Sequence, residues 1–230
     1  RTRMTLSELA AAAEIDRATA RRMLHTLMAL GLIEYEAHGR RYLLGAGVLE
    51  LAAGVGTGRD LCDVALPHMA ALAERTRANV FLWVHHDGEA ICAARVRTRH
   101  ETVEATWFNV GLRTPLNCGA SPRLILAYLP QHARSAALAR PLPARTAFSD
   151  TDPAALLEAA ARIRERGWEL AIDDFALGFA AVAAPILDRN RRLLGSLSIT
   201  TVTAELVHAG ESRHLQALLR TARAIGQAMR

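Results

Sequence analysis

The stretch 5–44, TLSELAAAAEIDRATARRMLHTLMALGLIEYEAHGRRYLL, decides the fold of the first part of the chain. Thr5-Leu-Ser-Glu8 has the form of a capping box, in which the threonine caps the amide of Glu8 while the glutamate reaches back, so a helix begins there. Leu6, Leu9, Ala10 and Ala13 then fall on one apolar stripe. After a turn of a few residues Asp16 is placed to cap a second helix, with Ala20, Met23, Leu24 and Leu27 as its buried stripe and Gly31 as its stop. Two short helices joined by a tight turn make a helix-turn-helix. The residues Leu32–Leu44 alternate around His38-Gly39 and read as a small hairpin, which in this position forms a wing.

In such a motif the first exposed residues of the second helix meet base edges in the major groove of DNA, which here are Arg17, Thr19 and Arg21. Arg22, together with Arg40 and Arg41 on the wing, falls nearer the phosphate backbone, where charge fixes position rather than sequence. The bland alternative is a solvated helix face. It has some force, because residues 1–50 hold seven Arg (1, 3, 17, 21, 22, 40, 41) against six acidic residues (8, 14, 16, 34, 36, 50). The clustering on one helix and its wing carries the DNA-binding reading, not the total.

Outward from this stretch, 230 residues with 51% hydrophobic and 22% charged side chains can bury a core and suit two unequal domains. No apolar run reaches the roughly 20 residues of a membrane span, and the first residues lack the apolar core of a signal peptide, so a soluble cytoplasmic protein is expected. Cys62, Cys92 and Cys118 are far apart and odd in number, as reduced thiols rather than a disulfide scaffold. All 28 basic residues are arginine, whose planar fork suits phosphate and guanine, and the net charge of +5 permits nucleic-acid binding.

The boundaries read as 1–46 for the winged helix-turn-helix, 47–58 for a linker helix that frays at its glycines, and 59–230 for a second domain. There, Leu61–Thr76 has helical spacing, and NVFLWVHH and EAICAARV flank Asp87-Gly88, the strongest hairpin signal in the chain. Ser121-Pro122 reads as a cap and first-turn proline opening RLILAYL, and Asp152-Pro153 opens a helix that Gly167 closes. Trp168–Ile172, Ala180–Leu187 and Leu193–Thr200 read as strands, and Leu215, Leu218, Leu219, Ala222, Ile225 and Met229 stripe a last helix. Helices on an antiparallel sheet give an α+β layer domain. Along 193–200, Leu197 and Ile199 alternate with Ser196, Ser198 and Thr200, so one strand face is polar.

These residues together resemble the IclR-type (isocitrate lyase regulator) family of transcriptional regulators. The anchors are LSELAAAAEIDRATARRMLHTLMALGLIE followed by GRRYLLGAGVLELA, then GLRTPLNCGASPRLILAYLP, then RERGWELAIDDFALGFAAVAAPILDRNRRLLGSLSIT, in the family's order. The resemblance implies a GAF-like effector domain, dimers or dimers of dimers on palindromic double-stranded operators, and response to small organic or aromatic acids. It also implies that the winged helix-turn-helix lacks its usual first helix here. By resemblance, Ser198 and Thr200 hydrogen-bond the effector, the amides near Ala120 and Ser121 open a helix whose N-terminus can hold a carboxylate, and Asn117 belongs to the same loop. Asp174 closes the site or orders its loop. The chain departs from the family at Pro122-Arg123, where many members have Gly-Lys, at Asp173-Asp174-Phe175, and at Ala181, often a cysteine. Trp107, Phe108, Phe175 and Phe179 are candidate apolar walls.

No catalytic, cofactor or metal site is read from the sequence. His85 and His86 are adjacent on a strand and point to opposite faces, and a carboxylate pair with no positioned base or nucleophile is weak evidence for acid/base catalysis. Cys118 beside the expected pocket leaves a redox sensor open. The competing class is a small-molecule enzyme or sensory module with an incidental helical N-terminus.

Overall fold

The computed structural model describes residues 3–53, 56–98 and 109–229. They fall into two compact units, 1–59 and 60–230.

In the first unit, strand β1 (Met4–Thr5) leads into helix α1 (Leu6–Ala12), followed by α2 (Arg17–Ala29) and the hairpin of β2 (Ile33–Glu36) and β3 (Arg41–Leu44). The strands form one sheet in the order β1-β3-β2, a winged helix-turn-helix. The capping box is formed: Thr5 N–H donates to Glu8 Oε2 at 2.8 Å and Glu8 N–H donates to Thr5 Oγ1 at 3.3 Å. Asp16 Oδ1 accepts from the amides of Ala18 and Thr19, each at 2.9 Å, and starts α2. Gly31, at φ 66°, follows the last turn. The wing turns through a short 3-10 segment, Ala37–Gly39. The buried stripe of α2 is Ala20 and Leu24, with Leu27 and Met28 half-buried. Met23 does not belong to it: at 55% exposed it lies about 100° round the helix from Leu24.

The linker residues form α3 (Gly47–Ala53), and Gly54-Val55 lie outside the described residues. Helix α4 (Gly56–Thr76) includes Gly56 and Gly58 rather than fraying there. The helix penalty of these glycines, about 1 kcal/mol each, is outweighed by packing, since Leu61, Ala65, Met69 and Leu72 further along α4 are all buried.

The second unit is built on a six-stranded antiparallel sheet. Its strands are β4 (Asn79–His86), β5 (Glu89–Val96), β6 (Arg113–Pro115), β7 (Glu169–Ile172), β8 (Phe179–Leu187) and β9 (Leu193–Val202), in the order β6-β5-β4-β9-β8-β7. Asp87 (φ 48°) and Gly88 (φ 73°) make the left-handed pair that a tight hairpin needs between β4 and β5. Helices α5 (Ala120–Tyr128), α6 (Gln131–Leu138) and α7 (Pro153–Arg166) follow β6, and a short α8 (Thr203–Leu206) precedes α9 (Leu215–Ala228).

Period-two alternation divides the core. Val80, Leu82, Val182, Ala184, Ile186, Leu197 and Ile199 pack with residues of α4 and α9 on one face. Phe81, Trp83 and Ala183 pack on the other with residues of α5 and its neighbours. Helix α9 approaches β8 so closely that a Cβ on Gly226 would stand 2.2 Å from the Leu187 carbonyl oxygen. Among the described residues no helix is long and apolar enough to cross a membrane.

Candidate functional site

On the first unit, Arg17, Arg21 and His25 follow one another at four-residue spacing on the exposed side of α2. They share one groove with Tyr35, Arg40 and Tyr42 of the wing. Arg40 sits at the wing turn in a left-handed conformation (φ 49°). Thr19 and Arg22 lie beside the groove rather than in it, and Arg22 Nη2 donates to Thr19 Oγ1 at 3.1 Å. Arg41 is exposed on β3 and likewise does not line the groove. His25 and the two tyrosines are absent from the sequence reading; continuing the Arg17–Arg21 spacing by one turn finds the histidine. A cationic helix face flanked by an arginine-tipped wing is shaped to lie along an anionic duplex.

In the second unit, neighbouring residues across the sheet point to the same face, which builds a floor of two rows. Ala171, Ala181 and Thr200 form one, with Thr200 also opposite Asn79. Phe81, Ser198, Ala183 and Glu169 form the next. The N-terminus of α5 and the β7–β8 turn rise over this floor and enclose a cavity of about 470 Å³. Ala120, Ser121, Asp174, Ala181, Ser198 and Thr200, all singled out from the sequence, line it. Phe175 and Phe179 line it as well, joined by Phe81 and Trp83. The last two were not legible as cavity residues, because only their long-range register with β9 brings them there. Trp107 and Phe108 lie outside the described residues.

Three expectations are corrected by local chemistry. Ser121 is not the helix cap: α5 begins at Ala120 and its N-cap is Gly119, at φ 87° and ψ 144°, a conformation that glycine adopts without strain. The Ser121 hydroxyl instead pairs with Ser196 Oγ at 2.9 Å, tying α5 to β9. Asn117 is fully buried off the cavity, where its amide donates to the carbonyls of Pro143 (3.0 Å) and Asp150 (2.9 Å). The polar face of β9 is not solvated, for Ser196, Ser198 and Thr200 are all buried. Among the described residues the Ser198 and Thr200 hydroxyls bond no other protein group, which leaves both available to the cavity.

The charged groups are organised around α5. Asp174, 4% exposed, accepts the Gly119 amide at 2.8 Å, so the first free amide of the α5 N-terminus is already satisfied by the protein's own carboxylate. Arg123 lies between two acids, with Nη2 3.1 Å from Glu169 Oε1 and Nη1 3.8 Å from Asp174 Oδ2. Arg166 also reaches Glu169 and stacks on Trp168 at 4.4 Å. Burial raises the pKa of Asp174, against the Gly119 amide and Arg123, which act to lower it. Burial pushes the Cys118 thiol up to about 11, so the nucleophilic thiolate that a redox sensor needs is scarce at neutral pH. Among the described residues no three His, Cys, Asp or Glu side chains gather as metal ligands.

A DNA-shaped winged helix-turn-helix in one unit and an enclosed polar-apolar cavity in the other define a transcriptional regulator. Residues 1–37 match the IclR helix-turn-helix domain, and residues 54–227 match the family described as bacterial transcriptional regulator IclR C-terminal. The chain belongs to the IclR family. It is similar to the Pca operon regulatory protein of Acinetobacter baylyi, 28% identical over 95% of this chain and 79% of that protein. It is also similar to the Glycerol operon regulatory protein of Streptomyces griseus, 30% identical over 86% of this chain and 77% of that one. Among solved structures, an IclR homolog from Microbacterium hydrocarbonoxydans complexed with 4-hydroxybenzoate superposes with a TM-score of 0.85 at 26% identity, over 98% of this chain and 91% of that one.

Proposed function

We propose that this regulator is switched by a small, partly apolar organic acid, aromatic in preference, bound in the cavity between α5 and the sheet. The carrying observation is the pair of unpartnered hydroxyls, Ser198 and Thr200, set among Phe81, Trp83, Phe175 and Phe179 in an enclosed space. Hydroxyls receive the acid group and the aromatic rings its apolar body. The 4-hydroxybenzoate complex of the Microbacterium homolog supports this choice of ligand class. Ala120, Ser121, Asp174 and Ala181 complete the effector site, while Asn117 shapes it from behind by fixing the 143–150 loop.

In this reading residues 1–46 bind DNA, 47–58 link, and 59–230 bind effector. Arg17, Thr19 and Arg21 address bases, whereas Arg22, Arg40 and Arg41 address phosphates. The protein acts in the cytoplasm as a homodimer or dimer of dimers, since a palindromic operator presents two half-sites about 34 Å apart and needs two recognition helices. Its role is regulatory rather than catalytic.

The test is calorimetry with aromatic acids on the wild type and a Ser198→Ala/Thr200→Val double variant, beside gel shifts on the upstream DNA. The double variant is expected to lose about 1–3 kcal/mol of effector affinity with operator binding by the free protein intact. Unchanged effector affinity would remove the site from β9.

A further inference from the structure

Asp174 is the charged residue among those that line the cavity. Its carboxylate is 4% exposed and takes up the Gly119 amide, leaving it at the rim of the α5 N-terminus. The nearest cation, Arg123, approaches to 3.8 Å but is committed to Glu169 at 3.1 Å. Arg166 also faces Glu169. On the other elements around Asp174, Asp173 is held by the Gly178 amide and Thr203, Cys118 stays a thiol, and Arg145 stacks on Phe175 at 4.3 Å. The cavity therefore has an acceptor pole at Asp174 with no cation of its own among the lining residues, and a hydroxyl pole at Ser198 and Thr200. A bare ligand carboxylate beside Asp174 would set two anions together in a poorly solvated space, whereas a hydroxyl there donates to it.

We infer that Asp174 determines the specificity of the cavity by accepting a hydrogen bond from the bound molecule, so that the effector carries a hydroxyl as well as an acid group. An unhydroxylated acid binds only with uptake of a proton at that pole. The inference rests on the effector reading above and adds to it the second functional group of the ligand.

Three hydroxylated and unhydroxylated pairs serve as probes: 4-hydroxybenzoate and benzoate, 4-hydroxyphenylacetate and phenylacetate, lactate and propionate. Calorimetry at neutral pH on the wild-type protein is expected to favour the hydroxylated member of a binding pair by about tenfold or more. In Asp174→Asn the preference levels or reverses, because the asparagine still accepts the Gly119 amide through its carbonyl but now offers an N–H to the ligand. Repeating the wild-type titration in two buffers of different ionisation enthalpy should reveal proton uptake with the unhydroxylated acid and none with its partner, a measurement that stands even if the variant fails to fold. Equal binding within every pair, a preference unchanged in Asp174→Asn, or equal proton uptake for both members overturns the inference while the effector reading survives. Binding of no probe at all overturns both, and an intact gel shift would then still mark the protein as a DNA-binding regulator.

Discussion

Replacing Glu169 by Gln removes one charge from the most buried ionic cluster of the protein while keeping the side-chain volume, so no cavity is added to the loss. The Glu169 side chain is 2% exposed and meets Arg123, itself only 19% exposed, at 3.1 Å. Removing one partner of a buried pair costs about 3–5 kcal/mol because the other charge is left uncompensated. Two features lower that figure here. Arg123 keeps Asp174 at 3.8 Å, and Arg166, 37% exposed, keeps its bond to the Trp168 carbonyl at 2.7 Å and can turn its other donors to water. About 2–3 kcal/mol is then expected, a Tm fall of about 4–12 °C for a unit of this size. Urea denaturation followed by tryptophan fluorescence would measure it, and adding Arg123→Met should cost less than the two single changes summed, by about 1 kcal/mol. A loss under about 0.5 kcal/mol, or strict additivity in the double variant, would refute the view that this cluster anchors α5 to β7.

Arg17→Ala and Arg21→Ala should each weaken specific operator binding by about 1–3 kcal/mol in a gel shift, with little loss on random DNA. Arg40→Ala and Arg41→Ala should weaken both alike and flatten the salt dependence of binding; a changed sequence preference would move the wing off the phosphates. Gly226→Ala drives a methyl into the Leu187 carbonyl and should destabilise by about 1–3 kcal/mol on thermal melting, a neutral result meaning that α9 moves freely away from β8. The raised pKa of Asp174 means that its folded-state contribution is fully present below its unfolded pKa and is lost as pH rises through the folded value. Asp174→Asn should accordingly improve relative to wild type between about pH 4 and pH 7 in urea midpoints, starting from the ordinary carboxylate pKa of about 3.9, and a constant difference would argue against burial as the dominant influence.

The elements legible in the sequence are those specified by chemistry a few residues apart. The Thr5–Glu8 box, the Asp16 cap, the Asp87-Gly88 turn, and Asp152-Pro153 with Gly167 each satisfy a local donor or a local φ, and each is found where its residues stand. Alternation along β9 separates Ser198 and Thr200 from Leu197 and Ile199, but it cannot say which face is dry, because both are. The Gly119 cap was missed since its need comes from the chain path into α5, and serine next to proline is the stronger local signal. Asn117 carries no local mark of its partners 26 and 33 residues onward. Phe81 and Trp83 enter the cavity through pairing with Ser198 and Ser196, more than a hundred residues away along the chain.

Much of the cavity wall between its two polar poles is alanine: Ala171 and Ala181 in one row of the floor, Ala176 above them. A methyl group is the smallest side chain that still fixes an ordinary backbone, so each of these positions can gain bulk or polarity without altering the strand that bears it. Ligand preference can thereby drift by single substitutions while the sheet, its helices and the recognition helix stay as they are. A lineage carrying this scaffold could hand an existing operator to a new metabolite by changing one or two alanines.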